Sequence, residues 1–360
     1  MPCPCLSRVF IRVTVAVIVP AWNAADTIAQ TLRSILGQRR AASEIVVVDD
    51  GSDDQTAAIV TELVAGGAPI RLLRQGNAGP SAARNRAIAH TRAPLIAPID
   101  ADDLWHPDYL ARTCATLESE PRAGFAFARH HLIDEAGELL RPAITFPASA
   151  ASFGGMLLVN AVGNGSSAVF RREAIAEAGG YAPPSPDWPG AEDYLLQLRI
   201  AARRSIIGIP AALVSYRKRA GSLSTDARKA RRARLQAVRL ALDEAGPAVL
   251  PVERWVAGDA LRVCAVSALR DGYLAHAAIM ALRALMTDPN GTAQDGMTRL
   301  RNLARRRLGI PCHNAGQAPD RLLAARLDRL ARSMPMGRIS GAPKVRPSQP
   351  SIRPSNWDAK

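Results

Sequence analysis

The sequence predicts an α/β protein built on a Rossmann-like doubly wound sheet, followed by a mainly helical C-terminal region. Three observations carry that expectation. The first hundred residues alternate short β-branched runs with amphipathic helical stretches. Val13-Thr-Val-Ala-Val-Ile-Val19 is a continuous run of the kind found in strands buried on both faces of a parallel sheet. Unusual polar clusters fall where such strands end, and ligands of doubly wound sheets bind beyond the carboxyl ends of the strands.

The elements follow in order. After the first strand, Asp26 is placed to cap a helix whose Ile28, Leu32, Ile35 and Leu36 share one face, with Gly37 placed to end it. A second strand is expected over Glu44 to Val48 and a helix from about Asp54 to Ala65. The third strand, Ile70 to Arg74, leads through Gly76-Asn-Ala-Gly-Pro80 into a helix from Ser81 to about Thr91. Leu95 to Ile99 is the fourth strand, and a helix starts near Pro107. From Pro121 to Tyr216 the pattern is mixed. Short strands are expected at Gly124 to Ala128, Ser167 to Phe170 and Ile206 to Ile209, and helices at Arg172 to Ala178 and Asp193 to Ala202. Beyond Asp226 strands disappear, and Ala-, Leu- and Arg-rich helical stretches run to about Met334. The last 26 residues, rich in Pro, Ser and basic residues, read as a disordered tail. The expected organisation is therefore an N-terminal extension (1–12), an α/β domain (13–225), a helical basic region (226–334) and the tail (335–360).

Composition narrows the class. A chain of 360 residues, 48% hydrophobic and 22% charged, is long enough for one large or two ordinary cores. No stretch of about 18 uncharged apolar residues exists to span a bilayer. The best, Val13 to Trp22, contains Pro20 and stops at Asn23. Met1-Pro-Cys-Pro-Cys5 lacks the marks of a secretory signal, so a cytoplasmic location is expected. The five cysteines are scattered and lack zinc spacing, which favours reduced thiols. The net charge of +14 divides unevenly: +1 over residues 1–225 and +13 over 226–360.

Asp100-Ala-Asp102-Asp103 is the most informative cluster. Three carboxylates within four residues after a buried strand repel one another unless a cation or hydrogen-bond donors compensate. Hard oxygen ligands select Mg²⁺ or Mn²⁺, which commonly bridge one or two carboxylates to a substrate diphosphate. The bland alternative is a solvated acidic loop before the next helix. Asp49-Asp50-Gly51-Ser52 is equally a turn with capping residues or a pair of acceptors for a nucleobase N–H and a ribose hydroxyl. Arg84 lies one turn into a helix whose N-terminus favours anions, and the alternative for it is an ordinary surface guanidinium. Glu192-Asp193 reads by itself as a helix start decorated with acids. His106, His130 and His131 have no metal-like spacing and read as structural or exposed.

Taken together, Val19-Pro20-Ala-Trp22-Asn23, Val48-Asp49-Asp50-Gly51-Ser52, Gly79-Pro-Ser-Ala-Ala-Arg84-Asn85, Asp100-Ala-Asp102-Asp103 and Glu192-Asp193-Tyr194 resemble, in order and spacing, the family 2 glycosyltransferases of GT-A fold, over about residues 13–224. The resemblance implies a nucleotide-sugar donor, a divalent cation held by the acidic loop, and inversion at the anomeric carbon. It implies that Pro20, Trp22 and Asp50 line the base and ribose pocket with Asp49 beside them, and that Arg84 contacts the donor. Asp100 would approach the ribose or sugar, Asp102 would bind Mn²⁺ or Mg²⁺, and Asp103 would sit behind it or on the sugar. Asp193, after the Gly179-Gly180-Tyr181 loop, would be the base for the acceptor. Trp22 stands where Tyr or Phe is usual, which leaves the donor base less secure, with UDP-sugars the first choice. Ala93-Pro94 replaces the usual Gly and acidic pair before the fourth strand. Related enzymes often carry a Tyr-Arg pair and a Ser-rich loop like Tyr216-Arg217 and Gly221-Ser-Leu-Ser224. That loop either closes over the phosphates or belongs to a basic surface strand and turn.

The acceptor expected from family habit is a glycan or a lipid-linked acceptor of cell-envelope or exopolysaccharide synthesis. The basic clusters Arg228 to Arg234 and Arg305 to Arg307 admit either a solvated helical bundle or peripheral contact with an anionic membrane at its inner face. Two rival classes remain. A nucleotidyltransferase should carry a Gly-rich basic loop after the first strand, where this chain has Ala21-Trp22-Asn23. A noncatalytic nucleic-acid-binding protein leaves the acidic crevice unexplained, and 4% aromatic residues is poor for base stacking, so no nucleic-acid partner is expected.

Overall fold

In a computed structural model, the structure describes residues 13–143, 148–183, 190–219, 227–245 and 274–288. The 1–12 extension, the Gly221–Ser224 loop, Arg305–Arg307, the 335–360 tail and all cysteines except Cys114 lie outside the described residues, as does most of the 226–334 region.

Four parallel strands form one half of the sheet: β1 (Val15–Ala21), β2 (Glu44–Asp49), β3 (Ile70–Arg74) and β4 (Leu95–Pro98), in the order β3-β2-β1-β4. The intervening helices are α1 (Ile28–Leu36), α2 (Thr56–Ala65) and α3 (Pro80–Ala89). Alternate residues of β1 serve opposite faces. Val15, Val17 and Val19 pack with Ile28, Leu32 and Ile35 of α1, whereas Ala16 and Ile18 pack with Ala83 and Ala87 of α3. Both faces are covered, so the strand is apolar throughout instead of alternating.

The second half of the sheet is built differently. Beyond β4 the order continues β8-β6-β9-β5, where β5 is Leu104–Trp105, β6 is Ala123–Ile133, β8 is Ala168–Arg171 and β9 is Ser205–Arg217. Strand β8 runs antiparallel to both β4 and β6, and β5 antiparallel to β9, so the sheet is mixed. Parallel neighbours need a crossover connection, and the regular strand–helix alternation that supplies it ends after β4. Short β7 (Leu139–Arg141) pairs with β6. Strands β6 and β9 are also longer than expected. Their second halves, from Arg129 and Ala212 onward, pair with each other and mix half-buried polar residues (Arg129, His130, His131, Ser215) with buried Ile133, Leu213 and Val214, so no continuous apolar run marks them.

Three more helices lie close to their expected places, α4 (Tyr109–Ser119), α6 (Arg172–Glu177) and α7 (Glu192–Ala201), while α5 (Phe153–Leu158) stands where no helix is expected. Helix α8 (Ala227–Ala245) docks on α7 through Ala233, Ala237, Val238 and Ala241, with Arg199 on Glu244 at 2.6 Å. Helix α9 (Leu274–Thr287) follows farther along the chain. Among the described residues no helix is long and apolar enough to cross a membrane.

One capping expectation fails in an informative way. Gly37 does end α1, but Asp26 is exposed and the N-cap position falls on Thr27, which makes no side-chain cap. The Thr27 hydroxyl instead donates to the carbonyl of Ala101 at 2.9 Å, and Thr31 Oγ1 lies 3.0 Å from Ala101 O and 2.9 Å from Asp103 O. The start of α1 is thereby committed to holding the acidic loop after β4.

Candidate active site

The acidic loop begins where fully buried β4 runs out of apolar residues. The Asp100 amide donates to Ser166 Oγ, and the Asp103 amide turns back onto Asp100 O. Asp103 is 0% exposed; its Oδ1 accepts from the Arg217 amide at 2.9 Å and its Oδ2 from Ser166 Oγ at 2.5 Å. Burial, with Asp102 and Asp100 adding to it, pushes this carboxyl well above the ordinary range. Of the two places expected for Asp103, behind Asp102 or on the sugar, these contacts put it behind, where it braces the loop.

Arg217 is the other half of that brace. Instead of lying on a basic surface strand, it is 2% exposed at the end of β9. Its guanidinium donates to the carbonyls of Asp102, Asp134 and Glu135 and to Gln30 Oε1, at 2.7–3.0 Å. Replacing it with Met would leave those acceptors buried and unpaired. Arg217→Met is expected to destabilise the fold by about 3–5 kcal/mol, seen as a lowered denaturant midpoint; an unchanged midpoint would refute the bracing role.

With Asp103 turned inward, Asp100 and Asp102 are left to the crevice. The Asp100 side chain is 30% exposed. Asp102 is half-buried, and its carboxyl is pushed up to about 6, first by burial and then by Asp100. An anion held at such a cost is what a divalent cation would relieve. Among the described residues no three His, Cys, Asp or Glu side chains converge to hold a metal by themselves. That donor set fits an ion bound through one or two carboxylates and completed by substrate phosphates and water.

The ends of β1 and β2 meet beside this loop. Asn23, at φ 46°, links them: its amide donates to Ser52 Oγ and its side-chain oxygen accepts from the Asp53 amide, both at 3.0 Å. Trp22 is left 55% exposed and Pro20 half-buried. The two acids have inward tasks. Asp49, 0% exposed, accepts from the Ser52 amide and from Arg74 Nε, both at 3.2 Å. Asp50 accepts from Gln75 Nε2 and from the amides of Ala78 and Gly79 at 2.7–2.9 Å, which pins the loop entering α3. Gly51 is required between them, since at φ 75° an added Cβ would sit 2.8 Å from the Asn77 nitrogen.

Arg84 and Asn85, in the middle of α3, reach across to the far side of the crevice. Arg84 is buried, not a surface guanidinium. Its Nη2 donates to Asp100 Oδ1 at 2.5 Å and its Nη1 to Glu192 Oε1 at 2.7 Å, with the Tyr181 ring centroid 5.2 Å from Cζ. The Asn85 amide exchanges two hydrogen bonds with the backbone of Tyr181, fixing the Gly179-Gly180-Tyr181 turn. Asp193 follows Glu192 in the first turn of α7, where its Oδ1 accepts from the Tyr194 amide at 2.7 Å. Burial and the neighbouring Glu192 push the Asp193 carboxyl up to about 6, against the pull of Arg84.

Two of the histidines serve the fold, whereas His106 is exposed. His130 packs edge-on against Tyr216, and burial lowers its imidazole to about 4, while His131 accepts from the Ala143 amide. Sequence reasoning missed the Asn164-Gly165-Ser166 segment, which backs the acidic loop. An added Cβ at Gly165 would lie 3.2 Å from Arg84 Nη2 and 3.6 Å from Asp100 Oδ2. The run of small polar residues just before β8 was the available signal.

Residues 16–179 match the family model described as glycosyl transferase family 2. The succinoglycan biosynthesis protein ExoU of Rhizobium meliloti (strain 1021) is 44% identical over 99 residues, covering 27% of this chain and 29% of that protein. The putative teichuronic acid biosynthesis glycosyltransferase TuaG of Bacillus subtilis (strain 168) is 32% identical over 136 residues, 38% of this chain and 54% of TuaG. The matches thus span about a third to a half of these relatives. Among solved structures, the mannosyltransferase PcManGT from Pyrobaculum calidifontis, in complex with GDP-Man and Mn²⁺, aligns with a TM-score of 0.56 at 21% identity, over 90% of this chain and 87% of that one. S. aureus TarS in complex with UDP-GlcNAc aligns at 0.51 and 16% identity, over 76% and 91%. At these identities the likeness concerns the fold, which is GT-A.

Proposed function

Residues 16–179 belong to glycosyl transferase family 2, and from that premise we propose that this chain is an inverting, metal-dependent glycosyltransferase. It would move a sugar from a nucleotide-sugar, a UDP-sugar first, to a hydroxyl of a glycan or lipid-linked acceptor in envelope or exopolysaccharide synthesis. The observation that carries the reading is the facing of two acidic groups across one crevice. Asp100 and Asp102 stand on the β4 side, Glu192 and Asp193 on the α7 side, and the Arg84 guanidinium lies between Asp100 and Glu192.

The residues divide the work. Exposed Trp22, with Pro20 at the end of β1, offers a face for the base to stack on. Asp50 shapes the wall by holding the 75–79 loop. Asp102, with Asp100 beside it, would hold Mn²⁺ or Mg²⁺, which when bound neutralises charge on the departing diphosphate. Asp193 takes the proton from the acceptor hydroxyl as that oxygen attacks the sugar C1. A single displacement of this kind inverts the anomeric centre and needs no enzyme nucleophile. The relatives ExoU and TuaG, named for succinoglycan and teichuronic acid biosynthesis, support the acceptor class.

The +13 charge of residues 226–360 favours peripheral contact with an anionic leaflet. Liposome co-sedimentation of the full-length chain should therefore require anionic lipid and fall steeply as salt rises past about 0.1 M. Salt-insensitive or absent binding would refute that contact. The reaction is tested by screening the purified protein with Mn²⁺ against UDP-, GDP- and dTDP-sugars. Metal-dependent donor binding with slow hydrolysis is expected, and no response to any of the three overturns the reading.

A further inference from the structure

The contacts of Arg84 point away from simple donor binding. Both terminal nitrogens are already committed to protein carboxylates, Nη2 to Asp100 and Nη1 to Glu192. The residue is 4% exposed, and Nε is buried with no partner. Its slot is closed on one side by the Tyr181 ring and on another by Gly165, where even a methyl group would come within 3.2 Å of Nη2. A planar guanidinium held in such a slot fixes the geometry of both partners at once, because its fork cannot bend to follow either of them.

The partners belong to different halves of the site. Asp100 begins the acidic loop, and Glu192 precedes the proposed base by one residue at the start of α7. Neither half reaches the other through backbone hydrogen bonding in the sheet, since Asp100 follows β4 whereas α7 precedes β9. Asn85, the next residue of α3, reinforces the span by fixing the backbone of Tyr181. Helix α3 therefore supplies two consecutive side chains that tie the α7 side of the crevice to the β4 side.

We propose that Arg84 is a positioning residue that acts through Glu192, setting the placement of Asp193 against the donor held at Asp100 and Asp102. This rests on the transferase reading above. A misplacement of about 1 Å in such a constellation costs on the order of 10²-fold in rate, so the effect should appear in turnover and not in donor affinity.

The test compares the wild type with Arg84→Lys, Glu192→Gln and the double variant, using UDP-glucose, or whichever donor of the screen is turned over, with Mn²⁺. Affinity for UDP is measured by calorimetry and turnover by donor hydrolysis. Lysine keeps the charge but cannot fork, and glutamine keeps an acceptor but not the charge, so both variants should fold. In each single variant kcat should fall about 10–100-fold with UDP affinity within about threefold of wild type, and the double variant should be no slower than the worse single one. Tenfold weaker UDP binding in Arg84→Lys with normal binding in Glu192→Gln would make Arg84 a donor contact and overturn the proposal. Losses that multiply in the double variant would overturn it as well, by showing that the two residues act separately. A wild type that neither binds UDP nor turns over any donor overturns the transferase reading itself, and the positioning role falls with it.

Discussion

Asp102→Asn should abolish transfer, with a loss of about 10³-fold or more in kcat/KM, and should remove the metal dependence of donor binding. The carboxylate is half-buried beside Asp100 and is pushed up to about 6, so its charge is kept at a cost that a bound cation would offset. A neutral amide relieves the burial and the repulsion but supplies no charge to the ion. The fold should survive, because the bonds that hold the loop run from Asp103, Ser166 and Arg217 and include the Asp102 carbonyl, not its side chain. Calorimetry with the donor in the presence of Mn²⁺ and of excess chelator is the measurement. Full activity in the variant, or wild-type activity untouched by chelator, would remove the metal assignment.

Asp193→Asn is expected to lose about 10²–10⁴-fold in turnover, the usual worth of a positioned base, while donor affinity stays within a few-fold. Parallel collapse of affinity and rate would instead place Asp193 in the donor pocket. The wild-type pH profile should show the same group. A base that titrates at about 6 is active only when deprotonated, so kcat should fall as pH drops through that value. Stability should respond with the opposite sign. Because the folded-state pKa lies above the ordinary carboxylate value of about 4, the Asp193 contribution is fully present below pH 4 and is lost as pH rises through about 6. At pH 8 the ionised, half-buried acid beside Glu192 is a burden, so Asp193→Asn should melt at least as high as wild type there. Any such advantage should vanish near pH 4. A variant clearly less stable at pH 8 would show that Asp193 supports the helix rather than straining it.

Much of this site lay open in the chain itself. Strands β1, β2 and β4 could be placed because a strand covered on both faces is continuously apolar, and helix α1 because its buried residues recur at helical spacing. The acidic loop and the Glu192-Asp193 pair were legible as carboxylates gathered at element ends. The direction of β8 was not, since a short apolar run reads the same either way and only its partners in the sheet orient it. The second halves of β6 and β9 escaped for a related reason: polar residues interrupt their apolar ones, and their pairing with each other and with β5 defines them.

What each carboxylate does was decided in three dimensions. Asp50 and Asp100 share a chemistry, as do Asp102 and Asp103, and no local rule separates an acid that braces from one that faces a ligand. The separation comes from donors far along the chain: the Arg217 amide 114 residues from Asp103, and Arg84 108 residues from Glu192. The sequence alone determined which elements form and where charge collects, because secondary structure and capping depend on neighbours within a few positions. Only the tertiary structure decided which charges are buried and paired, because desolvation and ion pairing depend on groups that folding brings together from distant segments.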